Sequence, residues 1–542
     1  MVLKIDGGNE LENQTIDSLN YTKIHNDLKS LKTEVDSVQN TLYKLGYIEN
    51  ERKEIKKIND SSFYSQILLK QKFKTIYIYY KKKDVDASIL KHVSGRVFDN
   101  YFEIKFTEVE STLNYINSKI SEKGYPFSKL KLSNISFKGS DKILVAELLV
   151  ESFEEKRSIN DIVIKGYEKF PQSYVKHYLK IKPSQIFDLN KIRNKTEQLN
   201  NLNFASELKS PEVLFSKDST TLYLYLEKTQ SNTFDGFLGF GTNEETNKLE
   251  FDGYLNLNLT NNLNFGESFR LLYKSDENDQ KTFETDISLP YLFKSPVGID
   301  LLLRIFKRDS SFTTTNQSAK IHYQINAKHK LYGGIIATES NSLLKENFSA
   351  PINDYKTQYL TIGYQFLKLQ PNNLLFPIKS KFYFETGFGN RKSSNTKENQ
   401  SQYSMDAFNI FSLNTRNSIY IRLNASSLVS NTFLENELMR FGGINSIRGF
   451  EENSLFSNLY GLINTEYRYQ LNNYIYVNSI IDAAYFENKI ADIKEKLFSY
   501  GFGFGVLTKS GLFKFNYANG KNENSKFKFS NSKIHLSLTT NF

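Results

Sequence analysis

The chain has 542 residues, more than one ordinary domain holds. Its mean hydropathy is −0.48, and no stretch approaches the ~20 apolar residues that a membrane helix needs. That excludes a helical membrane protein but not a β-barrel, whose strands alternate and average out as polar. The chain contains no Cys, so disulfide scaffolds, thiolate metal sites and a lipidated cysteine are excluded. The net charge of +10 comes from scattered lysines. Their one tight run, Lys81-Lys82-Lys83, reads as a solvated turn rather than a nucleic-acid patch. The 34 Tyr and 43 Phe, with no Trp, fit either aromatic girdles at a membrane or the cross-strand pairs of a soluble β-protein. Composition leaves both open.

The opening segment, from Met1 to Gly8, lacks the basic region and apolar core of a secretory signal. If the chain is a barrel, the expectation is that its signal was removed or lies outside this sequence. Ile24, Leu28, Leu31, Val35, Val38, Leu42 and Leu45 then follow helical spacing, and Gly46 ends the stripe. Strand-like stretches follow around Lys53–Ile58 and Thr75–Tyr80. A second stripe, Val109, Leu113, Ile116 and Ile120, closes at Gly124-Tyr125. Lys131–Phe137 and Lys142–Val150 come next, two strands joined by a Lys-Gly-Ser-Asp turn. The third copy is fullest: a strand at Ile159–Lys165 before Gly166, helices around Ser173–Leu179 and Leu189–Leu199, and strands near Val213–Phe215 and Thr221–Glu227. Each unit reads as β-α-α-β-β over about 75 residues, enough for a helix pair on a small sheet. The expected divisions are 1–84, 85–153, 154–230 and, beyond them, 231–542.

After Ser231 the helical stripes stop and period-two alternation takes over. Leu249, Phe251, Leu255, Leu257 and Leu259 share one face, against Glu250, Asp252, Asn256 and Asn258. Leu360, Ile362, Tyr364 and Phe366 alternate in the same way, as do Ile419, Ile421, Leu423 and Ala425. The chain ends on Ile534, Leu536, Leu538 and Phe542 against His535, Ser537 and Asn541. Polar stretches such as Ser393–Ser401 and Ala518–Ser525 read as turns. Some 310 residues at about 19 per strand and loop predict roughly 16 strands.

One segment, Leu438-Met-Arg-Phe-Gly-Gly-Ile-Asn-Ser-Ile-Arg-Gly-Phe-Glu451, lies between two such strands. Gly442 and Gly443 suit a tight backbone excursion, and Arg448-Gly449-Phe450 sets a cation at a bend beside an aromatic. This resembles the Omp85 superfamily of outer-membrane assembly and translocation proteins. Its signature is an Arg-Gly-Phe or Arg-Gly-Tyr tip on the sixth extracellular loop, folded back into the barrel. Val163-Ile164-Lys165-Gly166 resembles the first strand of a POTRA unit, and Ser510–Tyr517 resembles the family's penultimate strand. A terminal aromatic, here Phe542, is similar to the family's targeting end.

The resemblance implies α+β periplasmic POTRA repeats followed by a transmembrane antiparallel β-barrel, and acidic partners for the loop arginine on the next two strands. Asp482 and Glu466 occupy those strands, and alternation independently puts them opposite the apolar face of Ile463, Tyr467, Ile481 and Tyr485. A buried guanidinium needs such carboxylates. The competing reading of Arg448 is an ordinary loop arginine.

His25, His92, His177, His322, His329 and His535 show no metal spacing. Gly236–Gly241 and Gly501–Gly505 resemble phosphate loops only faintly, since no helix follows either. Glu154-Glu155 reads as solvated surface, and no catalytic arrangement or cofactor is expected. The resemblance implies that unfolded outer-membrane or secreted polypeptides are the partners, with outer-membrane lipid and with accessory lipoproteins or a periplasm-spanning protein. The barrel would open at a seam between Phe234–Gly241 and Ile534–Phe542, where Gly236, Gly239 and Gly241 weaken pairing. POTRA edges would capture clients. Three units look more like the TamA branch than the five-unit BamA pattern. The alternatives are a pore secreting one specific protein, a passive porin and a soluble nucleic-acid binder.

Overall fold

The computed structural model describes residues 1–138, 143–151, 156–242, 249–275, 280–308, 311–344, 352–370, 373–394, 396–508, 511–525 and 532–539. The Gly-Ser-Asp of the expected turn, Glu154-Glu155 and the terminal Phe542 lie outside the described residues. The chain divides into two compact units. One comprises Met1–Asn160 with Ser184–Lys191 and Phe215–Thr220; the other comprises Asp161–Pro183, Ile192–Leu214 and Thr221–Phe542.

The first unit holds two small sheets. In one, Val2–Asp6 runs parallel to Ser62–Leu68, which also pairs with the short strands Glu51–Arg52 and Lys56–Lys57. The crossover between the parallel strands is helical, as that connection requires. Glu10–Asp17 is capped by Asn9, and Leu28–Lys44 by Asp27. Leu31, Val35, Val38 and Leu42 from the longer helix pack on Leu3, Ile5, Phe63 and Ile67. Ile24, read as part of this stripe, lies ahead of the cap and is exposed. Gly46 turns the chain at φ +99°, where a Cβ would stand 2.2 Å from the Phe73 carbonyl oxygen.

The second sheet runs in the order Arg96–Val97, Tyr101–Lys105, Thr75–Tyr79, Ile143–Glu151, Lys129–Lys138. Thr75–Tyr79, read above with the preceding unit, pairs here, parallel to Ile143–Glu151. Its Ile76 and Ile78 meet Ile116 and Ile120 of the helix Val109–Glu122.

In the second unit, Asp161–Gly166 runs parallel to Thr220–Lys228, whose other neighbour is Ala205–Phe215. All three small sheets thus pair the opening strand in parallel with the last. Ser173–Leu179, expected as a helix, contributes a single π-helical turn at Tyr174–Tyr178. Tyr174 is buried and donates to the Gly266 carbonyl at 3.2 Å. Its ring centroid lies 4.7 Å from that of Tyr291. His177 shares a hydrogen bond with the Lys294 carbonyl at 2.9 Å. The third small domain is thereby fixed to two turns of the large sheet.

That sheet has 16 antiparallel strands in sequence order, from Thr233–Thr242 to Ser532–Thr539. It curls on itself: Phe376, in the turn after the eighth strand, stacks edge-on with Tyr476 of the thirteenth at 4.7 Å. Side chains alternate as the pattern demands. Leu360, Ile362, Ile463, Tyr467 and Ile481 face out and are exposed, whereas Thr361, Asn464, Glu466 and Asp482 face in and are buried. An apolar exterior over a polar interior is the inverse of a soluble core. Ser393–Ser401, read as a turn, is mostly strand: Ile378–Ser393 and Thr396–Ser412 run through it. Likewise Ala518–Asn522 extends the fifteenth strand. Both stretches are polar because these strands continue past any apolar band. The glycine-rich Gly236–Gly241 and Gly501–Gly505 are also strand.

Candidate functional site

The eleventh strand, Asn417–Val429, pairs directly with the twelfth, Leu459–Gln470. Between them lies a long loop, carrying the 3-10 turn Glu435–Glu437 and the two-stranded pair Met439–Phe441 and Leu455–Ser457. Antiparallel alternation puts this loop at the end of the barrel opposite the turns that hold Tyr174. It folds inward, because its tip is buried against the inner wall.

Backbone geometry aims the tip. Gly442 and Gly443 have φ of +113° and +96°, a region that disfavours side chains. The Gly443 amide donates to the Ile447 carbonyl and the Ser446 amide to the Gly443 carbonyl, each at 3.1 Å. Gly449, at φ +82°, brings its backbone against the fifteenth strand, where a Cβ would meet the Gly520 nitrogen at 2.6 Å. A Cβ on Gly520 would in turn meet the Gly449 oxygen at 2.6 Å. Two facing glycines permit this approach. Phe450 packs with Phe441, Ile447, Leu462 and Phe486.

Arg448 is 4% exposed. Its Nε and Nη2 donate to the two carboxylate oxygens of Asp482 at 2.8 and 2.6 Å, and its backbone amide adds a bond to Oδ2 at 3.1 Å. Nη1 donates to Glu466. The remaining Glu466 oxygen accepts from Arg468 Nε at 2.7 Å. Arg468 lies over the rings of Tyr420 and Phe376, at 4.0 and 4.3 Å. Two guanidinium groups and two carboxylates therefore form a neutral buried network, the condition under which burying charge is tolerable.

Further wall groups fasten the tip. Asn464 donates to the Ser446 carbonyl at 2.8 Å, Arg422 to the Asn445 carbonyl at 2.7 Å, and Lys533 to Glu451 at 2.8 Å. The Gly449 amide donates to His535 Nε2 at 3.3 Å.

Sequence reasoning named Gly442, Gly443, Arg448, Gly449, Phe450, Glu466 and Asp482, and the structure brings all seven together. Ile534 and Leu536 instead face outward on the last strand, and the backbone of Leu538 lies in that strand. Arg468, Arg422, Asn464, Gly520 and His535 were missed. Alternation places Arg468 on the Glu466 face and so could have found it. Gly520 and His535 come from strands whose register against the loop no local pattern encodes.

Comparison with known proteins bears on the whole arrangement. Residues 158–228 match the POTRA family model, a surface antigen variable number repeat. A solved BamA from Haemophilus ducreyi lacking POTRA domains 1–3 superposes with a TM-score of 0.52 at 15% identity, over 86% of this chain and 99% of that one. CdiB from Escherichia coli superposes at 0.53 and 12% identity, over 95% and 97% of the two chains. CdiB from Acinetobacter baumannii gives 0.52 and 14%, over 86% and 89%. No curated protein matches the sequence.

Proposed function

We propose a role in inserting or translocating polypeptides at a bacterial outer membrane for this chain, which has the fold of the Omp85 superfamily: POTRA-like α/β repeats ahead of a 16-stranded antiparallel barrel. The three small domains, with Thr75–Tyr79 in the second rather than the first, lie in the periplasm on this reading, and their open sheet edges add strands from unfolded clients.

The observation that carries the proposal is the state of the two end strands. Among the described residues, no ladder joins Thr233–Thr242 to Ser532–Thr539. The first of these strands contains Gly236, Gly239 and Gly241, which weaken pairing. A seam of this kind opens sideways and templates a client strand, so that no unpaired edge meets lipid. No nucleotide or catalytic group is needed. The Arg448 network keeps the loop tip beside the last strands while the seam works.

Depleting the protein in its host and measuring outer-membrane composition tests this. Insertion activity predicts the loss of many β-barrel proteins from the membrane. A second reading, secretion of one specific polypeptide through the lumen, draws on the charged inner wall, where Lys320 pairs with Glu385 and Lys381 with Asp406. It predicts the loss of a single secreted species instead. No change in either fraction would overturn both.

A further inference from the structure

The loop that carries Arg448 is held at a second place. Its entering arm, from Asn431 to Arg440, contacts a set of strands that the tip does not touch. Arg391, on the ninth strand, is 3% exposed. Its Nη2 donates at 2.6 Å both to Glu398 of the tenth strand and to the Thr432 hydroxyl of the arm. Its Nη1 reaches Glu437 of the arm and the Thr432 carbonyl. Glu398 also accepts from the backbone amides of Asn431 and Thr432, at 2.7 and 2.8 Å. Glu437 accepts from the Leu434 amide at 2.9 Å and from Gln400 at 3.3 Å.

The contacts continue along the arm. Asn436 donates to Ser340 of the seventh strand at 2.9 Å, and Tyr355 of the eighth donates to the Asn436 carbonyl at 3.2 Å. Glu435 pairs with Arg308 of the fifth strand at 3.2 Å. Arg440 lies over Phe306 and Phe312, of the fifth and sixth strands, at 4.5 and 5.2 Å. The arm thus spans strands five to ten. Among the described residues, the tip is bound through Arg422, Asn464, Glu466, Asp482, Gly520 and His535, which lie on strands eleven to sixteen.

We propose that Arg391, with Glu398 and Glu437, forms a second latch that holds the arm across the barrel mouth independently of the Arg448 network. Arg391 is a positioning residue: it acts by fixing the arm. Residues with no shared partner on opposite walls respond additively, so each latch releases its own segment and leaves the other in place. A client that displaces the tip still meets the arm across the mouth. Full opening of the lumen needs both releases. This rests on the reading of the sheet as a plugged barrel, and not on what the barrel handles.

The chain has no Cys, so a single Leu438→Cys, at a site only 6% exposed, reports release of the arm. The purified protein carrying L438C is labelled with a bulky polar maleimide in detergent, with no client present. Heat-dependent migration on a gel certifies a folded barrel. Adding R391M/E437Q raises the labelling rate by about tenfold or more, whereas R448A leaves it within about twofold, as independent local openings require. In planar bilayers, conductance rises fully only when R448A and R391M/E437Q are combined. If the double substitution impairs folding, R391K replaces it: a lysine has three donors in no fixed fork and gives faster labelling than the parent. A folded R391M/E437Q or R391K protein that labels as slowly as the parent overturns the second latch. So does R448A alone exposing the introduced thiol to the same extent.

Discussion

At the scale of single residues, the Arg448 network sets unequal costs for its two acids. Asp482 accepts three of the arginine's donors, including the backbone amide. Glu466 would keep Arg468 as a partner if Arg448 were lost. Asp482→Asn breaks a buried pair, a loss of the ~3–5 kcal/mol class, and should weaken tip docking more than Glu466→Gln. Barrel thermal stability, read by the heat-dependent gel shift, checks the order; equal effects would mean that the tip is held elsewhere. Gly520→Val should mimic loss of Arg448, because its side chain would fill the space taken by Gly449, while Gly461→Ala, where an added Cβ meets nothing within 4 Å, should leave the parent behaviour. Arg448, Glu466 and Asp482 were legible because alternation assigns a face and the Arg-Gly-Phe triplet assigns a loop. His535 was not legible, since its meeting with Gly449 depends on the curl of the sheet rather than on neighbours in sequence.

At the scale of elements, the helices and long strands could be read from periodicity and the short or mixed elements could not. Leu31, Val35, Val38 and Leu42 mark their helix because all four face one core. Ser62–Leu68 escaped notice because Ser65 occupies a buried position between Phe63 and Ile67, which breaks the apolar face. Val2–Asp6 has only Leu3 and Ile5 to announce it. Thr75–Tyr79 reads as a strand but is given to the wrong sheet, since a parallel partner such as Leu144 opposite Ile76, far along the chain, leaves no local trace. The joint at Tyr174 was also invisible, as it depends on turns in a distant part of the chain. Tyr174→Ala removes a buried ring, a truncation of the ~3–5 kcal/mol class. It should speed proteolytic separation of residues 161–228 from the barrel several-fold. Tyr174→Phe keeps the ring and gives up one hydrogen bond, about 1 kcal/mol, and should stay near the parent. An unaltered cleavage rate in the alanine variant would show that the domain is fixed by other contacts.

At the scale of the whole molecule, a polar chain with no membrane helix among its described residues builds a barrel because strands such as Leu459–Gln470 and Ile475–Asn488 turn apolar residues outward and polar or charged ones inward. Several inward charges are neutralised in pairs, such as Lys320 with Glu385 and Lys381 with Asp406, and the loop arginine joins that pairing. On the proposed function, what the barrel does with a client depends on the seam between its first and last strands. The most direct measurement places one cysteine in Thr233–Thr242 and one in Ser532–Thr539, at facing positions, and follows insertion of an unfolded outer-membrane barrel protein into liposomes containing this chain. Oxidation that joins the two strands should stop acceleration of insertion, and a reductant should restore it. A fully cross-linked protein that accelerates insertion as well as the reduced form would contradict the account.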